Sequence, residues 1–228
     1  MRGLPILIAI DGPAGAGKSA TAREVAVRLG LPYLDTGAMY RAVALMACRA
    51  GLGPELDDAG RTAVTEIARH LQVSFSGDPR AQRVAIGGTN VTEALRSPEV
   101  SQMASVVSVI PEVRREMVRR QRELAARTGG VVEGRDIGTV VFPDATVKLF
   151  LTAAPEVRAR RRFDELKRRG LDVRWEDVVA EQRDRDRRDS TRQASPLRPA
   201  DGAVVVDSSD LSLAEVVDAV VALLPRAP

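Results

Sequence analysis

Gly12-Pro13-Ala14-Gly15-Ala16-Gly17-Lys18-Ser19 is the stretch on which the fold turns. It fits G-x-x-x-x-G-K-[ST], the phosphate-binding loop pattern. The apolar residues of 5–11 precede it and read as a fully buried strand. Residues 17–29 follow as a helix. Glycines at this spacing let successive backbone N–H groups face phosphate oxygens, and the helix adds its positive end. Lys18 is placed to reach β- and γ-phosphates, and Ser19 to hold Mg²⁺. The whole loop, from Gly12 to Ser19 with Ala20 after it, is the expected nucleotide-phosphate site.

Working outward, 31–34 reads as a short second strand, followed by Asp35-Thr36-Gly37-Ala38-Met39-Tyr40-Arg41 at its C-terminal end. Ligands of open parallel sheets bind beyond such strand ends. Helical spacing runs on to Ala50 and resumes over 58–70. Residues 71–76 and 83–86 then read as strands around Gly77-Asp78-Pro79, with Gly87-Gly88 after them. That is hairpin chemistry, and it marks 60–95 as an insertion carrying a small antiparallel sheet. Two helices follow, one from Pro98 and one from Pro111, a favoured first helical position. Strands at 131–133, 146–151 and 203–206 alternate with charged helices over 154–169 and 175–189. A Ser212–Glu215 capping box opens a last helix to Leu224. Strands alternating with helices predict an α/β fold, a parallel sheet covered on both faces.

Composition narrows the chemistry. The chain has 228 residues, 44% hydrophobic and 29% charged, values of a globular protein. Aromatics at 3% leave little for stacking single-stranded nucleic acid. A net charge of +3 is too balanced for diffuse nucleic-acid binding. One histidine, His70, and one cysteine, Cys48, build neither a common zinc site nor an internal disulfide. No apolar run reaches the roughly 18 residues of a membrane span, and the first apolar run leads into the glycine loop rather than a cleavage site. A cytoplasmic monomer, with neither membrane nor nucleic-acid partner, is expected.

The positive charge is local and almost all arginine. Arg158, Arg161 and Arg162 share overlapping faces of one helix. Arg185, Asp189 and Arg192 stand at i, i+4 and i+7 of the next. Alone, this is also the pattern of solvated helices laced with ion pairs. Beside a phosphate loop it equally describes a lid that closes arginines over a nucleotide and excludes water. Thr36 and Arg41 offer a hydroxyl and a guanidinium to a second phosphate. In Arg135-Asp136, between two glycines, the arginine can bind phosphate or a base edge and the carboxylate can accept from an exocyclic amine or bind Mg²⁺ through water; a structural ion pair is the other reading.

Together, the glycine loop, the 35–41 stretch, Gly134-Arg135-Asp136-Ile137-Gly138-Thr139-Val140-Val141-Phe142-Pro143 and Arg185 to Arg192 resemble the bacterial cytidylate kinases. The likeness runs in order along nearly the whole chain. It implies a P-loop kinase fold with an antiparallel insertion that binds nucleoside monophosphate, at about 58–110, and a helical lid at about 155–192. The core is then about 1–57, 111–154 and 193–228. It implies ATP with Mg²⁺ as donor and CMP or dCMP as acceptor. Thr36 and Arg41 match residues around the CMP phosphate. Ser105, Arg114 and Asp136 match cytosine readers, with Asp136 accepting from the amino group. Arg135 and Arg192 match phosphate arginines, and Arg185 and Asp189 a pair at sugar and phosphate. Lys18, Arg158, Arg161, Arg162, Arg185 and Arg192 are the expected catalytic cations. The nearest rivals are kinases of the same architecture acting on UMP, shikimate or dephospho-coenzyme A. Such acceptors would leave Ser105, Arg114 and Asp136 without a base to read. A GTPase switch would carry an Asn-Lys-x-Asp block, which the sequence lacks.

Overall fold

The structure is a computed structural model and describes residues 6–126, 128–192 and 194–225. The chain divides into two compact units, Met1–Tyr33 with Gly129–Pro228, and Leu34–Thr128.

The first unit is built on a sheet. Its strands are β1 (Leu7–Asp11), β2 (Tyr33–Asp35, which starts as the unit ends), β6 (Gly130–Gly134), β7 (Val147–Thr152) and β8 (Val204–Asp207). They lie in the order β2-β6-β1-β7-β8. β1 pairs in parallel with β6, Ile8 opposite Val131, and with β7, Ile10 opposite Leu149. β8 pairs in parallel with β7. Parallel neighbours far apart in sequence require helical crossovers, and these cover the faces. Ile8, Ala9 and Ile10 are therefore wholly buried, on both sides of the sheet.

Helix α1 (Lys18–Leu29) turns Ala22, Val25 and Ala26 onto the sheet. It stops at Gly30, whose positive φ of 63° lets its N–H reach the Ala26 and Val27 carbonyls. Helix α8 (Leu213–Ala222) adds Val216, Val217 and Val220 to the same core. Its expected capping box is present, with Ser212 and Glu215 satisfying each other's backbone N–H. The helix ends at Ala222 rather than Leu224. The charged helices are α6 (Pro155–Arg168) and α7 (Trp175–Thr191). They are clipped together by Arg160 over the Trp175 ring at 4.6 Å and by Phe163 edge-on to Trp175.

The second unit holds α2 (Thr36–Arg49), α3 (Asp58–His70), α4 (Pro98–Val107) and α5 (Pro111–Ala125). It also holds an antiparallel sheet of β3 (Val73–Ser76), β4 (Arg83–Ile86) and β5 (Thr89–Asn90). The strand predicted from 71 begins at Val73, because Leu71 ends α3 and is buried there. The two-residue β5 is too short to leave a sequence pattern. Gly87 and Gly88, at φ 54° and 81°, make the left-handed two-residue turn that pairs β4 with β5.

This unit is wider than the insertion expected at about 58–110. α2 packs on α4 and α3, and α3 packs on α5. The hairpin shows as a change of sequence pattern, whereas the outer helices join it only through apolar faces that meet in space.

Ser212→Ala removes one half of the α8 cap. It should lower unfolding free energy by about 1 kcal/mol in urea titration, with the phosphate loop's nucleotide affinity unchanged.

Candidate active site

The site of the first unit starts where β1 ends. Gly12, Gly15 and Gly17 have φ of 148°, 76° and 93°, conformations open to glycine alone at this cost. The space is equally exclusive. A Cβ on Gly12 would lie 1.9 Å from the Leu151 carbonyl oxygen, and one on Gly15 2.8 Å from that of Arg158. The loop thus lies directly on β7 and α6.

Its carbonyls are pinned one by one. The Pro13 carbonyl accepts from Lys18 Nζ at 2.7 Å, that of Ala14 from Arg158 Nη1 at 3.1 Å, and that of Ala16 from Ser208 Oγ at 3.0 Å. In a trans peptide the following N–H points the opposite way. The N–H groups of Ala14, Gly15 and Gly17 thus each point away from a carbonyl that is already bonded, which leaves them available to other acceptors. Lys18 opens α1, with Ser19 next and Ala20, in the same turn, exposed.

Lys18 is 6% exposed, and its ammonium is pushed down to about 7 by burial first and then by Arg135 and Arg185, against Glu133 and Asp189. Such crowding of cations around a buried lysine is a site prepared for negative charge. Arg135 Nε donates to Asp189 Oδ2 at 2.8 Å. Burial of Asp189 opposes its charge, yet Arg135, Arg185 and Arg192 hold its carboxyl below the usual range. Arg192 donates from Nε to the Ser195 carbonyl.

The three arginines of α6 expected to form a lid have separate surroundings. Arg158, 5% exposed, donates to the Ala153 and Ala14 carbonyls and pairs with Asp186 at 2.8 Å. Arg161 grips the Ser208 hydroxyl and carbonyl. Arg162 pairs along its own helix with Glu165. The first two therefore support the loop and the end of β8.

Sequence reasoning passed over Glu133 and Asp11. Glu133, buried on β6, accepts from Ser19 Oγ at 2.9 Å and from the Tyr33 hydroxyl. A carboxylate at the end of a buried strand, two residues before Arg135, was the available signal. Asp11 closes β1 and accepts from the N–H groups of Ile137 and Gly138. These bonds hold the start of a single π-helical turn, Ile137–Val141, to which the sequence pattern assigns no element.

In the second unit Asp35 caps α2, accepting from the Ala38 N–H at 2.9 Å, and holds Arg41 Nη2 at 2.7 Å. Thr36 is buried in the first turn of the same helix. Arg114, buried on α5, donates to the Ser108 carbonyl and lies over the Tyr40 ring at 5.9 Å. Ser105 is buried on α4. Thus Thr36 and Arg41 share the start of α2, and Arg114 meets that helix at Tyr40.

A glycine loop between a buried parallel strand and a helix, with a buried lysine among arginines, defines a P-loop protein of the kinase type. The sequence model of the cytidylate kinase family matches residues 8–226. The chain belongs to that family. It is 49% identical to a cytidylate kinase of Caldanaerobacter subterraneus subsp. tengcongensis over 220 residues, 96% of this chain and 95% of that one. It is 50% identical to a cytidylate kinase of Mycobacterium avium over 214 residues, 93% of this chain and 92% of the relative. Among solved structures, an uncharacterized protein from Eubacterium ventriosum shares the fold at 12% identity, with a TM-score of 0.52 over 97% of this chain and 99% of that one.

Lys18→Met should abolish phosphoryl transfer yet stabilise the fold by about 2 kcal/mol near pH 7, since a buried charge is costly. The lysine's folded value of about 7 lies below its usual 10.5, so the unfolded chain holds the proton more tightly. Wild-type stability therefore rises with pH across that window, and the advantage of Lys18→Met shrinks. Urea midpoints at pH 7 and pH 10 measure both.

Proposed function

We propose that the chain transfers the γ-phosphoryl group of ATP to CMP or dCMP, giving ADP and CDP or dCDP, within pyrimidine nucleotide metabolism in the cytoplasm. Full-length membership of the cytidylate kinase family is the observation that carries this reading. The buried Lys18 among Arg135, Arg185 and the Asp189 pair supports it, because phosphoryl transfer depends on positioning and on neutralising charge.

The donor side rests on the loop. The N–H groups of Ala14, Gly15 and Gly17 take phosphate oxygens. Lys18 exchanges its bond to the Pro13 carbonyl for the β/γ-phosphates and gains a full positive charge in doing so. Arg158 holds the loop in shape through Ala14 and through Asp186. Arg161 and Arg162 belong to the α6–α7 lid, where they meet the nucleotide when the lid closes.

On the acceptor side, Arg135, Arg185 and Arg192 take the CMP phosphate, with Asp189 aligning them and meeting the sugar. In the second unit Thr36 and Arg41 offer a hydroxyl and a guanidinium to an acceptor phosphate, with Asp35 holding the Arg41 guanidinium at 2.7 Å. Ser105, Arg114 and Asp136 read the cytosine, with the Tyr40 ring under Arg114. The unit of Leu34–Thr128 is then the monophosphate-binding region. A phosphate dianion is a competent nucleophile, so no strong general base is required.

Mg²⁺ is the metal this chemistry implies, and the residues present fit it. The Ser19 hydroxyl and the Glu133 carboxylate, 2.9 Å apart, are hard oxygen ligands beside the loop. Among the described residues no three His, Cys, Asp or Glu side chains form a metal cluster. Mg²⁺ needs none, because it keeps waters and substrate phosphates as ligands. When bound it supplies positive charge to the β- and γ-phosphates. No helix among the described residues is long and apolar enough to cross a membrane, and a monomer acting on free nucleotides is the proposed form.

A coupled ADP-release assay with ATP and Mg²⁺ should show CMP and dCMP turned over far ahead of UMP and AMP. Equal turnover of AMP would overturn the cytosine assignment. Asp136→Ala should weaken CMP use with little change in ATP affinity; a loss confined to ATP would make Asp136 a donor-side residue.

A further inference from the structure

Asp11 is the last residue of β1 and directly precedes Gly12. It is 3% exposed, and both of its oxygens are committed. Oδ1 accepts from the Ile137 N–H at 2.8 Å and Oδ2 from the Gly138 N–H at 2.7 Å. These are the first two donors of the Ile137–Val141 turn. The carbonyl of Asp136, one residue earlier, accepts from Val140 and Val141 at 2.9 and 3.1 Å. The peptide joining Asp136 to Ile137 is thereby fixed at both ends, its oxygen by the turn and its N–H by Asp11. Asp136 itself sits at φ −147° and ψ 27°, outside helix and strand. On the far side the turn is closed by packing, since a Cβ on Gly138 would come within 3.1 Å of the Ala200 side chain.

A buried carboxylate is a costly way to cap one turn. Burial pushes Asp11 up to about 6, and nearby Asp136 adds to this, against the two N–H bonds and Lys18. A neutral side chain would hold β1 in the sheet at lower cost. What the carboxylate adds is twofold. It accepts two adjacent N–H groups on two separate charged oxygens, whereas an amide or a hydroxyl offers a single, neutral accepting oxygen. It also repels the nearby Asp136 carboxylate.

We propose that Asp11 is a positioning residue for base recognition: by holding the Ile137 and Gly138 N–H groups it sets Asp136 to meet the exocyclic amine of the acceptor base. Because Gly12 is the next residue, the same side chain ties the base-reading segment to the phosphate loop within one unit. This inference rests on the reading of Asp136 as the acceptor for the cytosine amino group.

The test measures kcat/KM for CMP and for UMP, and separately the binding of a non-hydrolysable ATP analogue without acceptor. The proteins are wild type, Asp11→Asn, Asp11→Ser, Asp136→Ala and Asp11→Asn/Asp136→Ala. Asn keeps one acceptor and turns an amino group on the other N–H; Ser keeps one acceptor and no charge, guarding against a variant that misfolds. The CMP-to-UMP ratio of kcat/KM should fall about tenfold in Asp11→Asn, the scale of a lost charge-assisted hydrogen bond. Affinity for the ATP analogue should stay within about twofold. The double variant should show no lower ratio than Asp136→Ala alone, because Asp11 acts through Asp136. A collapsed ratio in Asp136→Ala with an unchanged one in both Asp11 variants would overturn the positioning role and leave the Asp136 reading intact. An unchanged ratio in Asp136→Ala would overturn that reading, and this inference with it. Parallel loss of ATP-analogue and CMP affinity in both Asp11 variants would make Asp11 a support of the phosphate loop alone and also overturn the proposal.

Discussion

The contact of Gly12 with the Leu151 carbonyl is the constraint from which the first unit follows. With 1.9 Å available to a Cβ, no other residue allows the loop to lie so close to β7. From that position its carbonyls reach Lys18, Arg158 and Ser208, three donors from α1, α6 and the end of β8. Each bond ties a different element to the loop and fixes one of its peptides. Nearly all that the site does is thus a consequence of backbone placed where a side chain would not fit.

The same region shows how far the chain goes against stability to concentrate charge. Lys18, Asp11, Glu133, Arg158 and Asp189 are all buried within one unit. Buried charges are retained when paired or when function needs them. Arg158 is satisfied by two carbonyls and Asp186. Lys18 has one carbonyl and sits among Arg135, Arg185, Glu133 and Asp189, and burial is the largest cause of its lowered pKa.

Much of this was legible beforehand. The loop, the strands of the parallel sheet, the hairpin and the charged helices follow from spacing, glycine placement and apolar runs. The family likeness rested on four short blocks in order. What escaped notice were the side chains whose partners lie far along the chain: Asp11 with Ile137 and Gly138, Glu133 with Ser19, and Ser208 with Ala16 and Arg161. Each is an ordinary residue in its local pattern. The α6 arginines were legible as a charged face, but not their division between loop support and exposed pairing.

The amino-acid order by itself determined the phosphate loop, the alternation of strand and helix around it and the family, because these depend on local spacing and on backbone freedom at glycine. The tertiary structure alone decided which charges are buried together, which carbonyls the loop surrenders, and that α2 to α5 form one unit with the hairpin. Those outcomes depend on distances between segments tens to hundreds of residues apart. Such distances are set by packing of apolar faces, which a linear pattern describes only one face at a time.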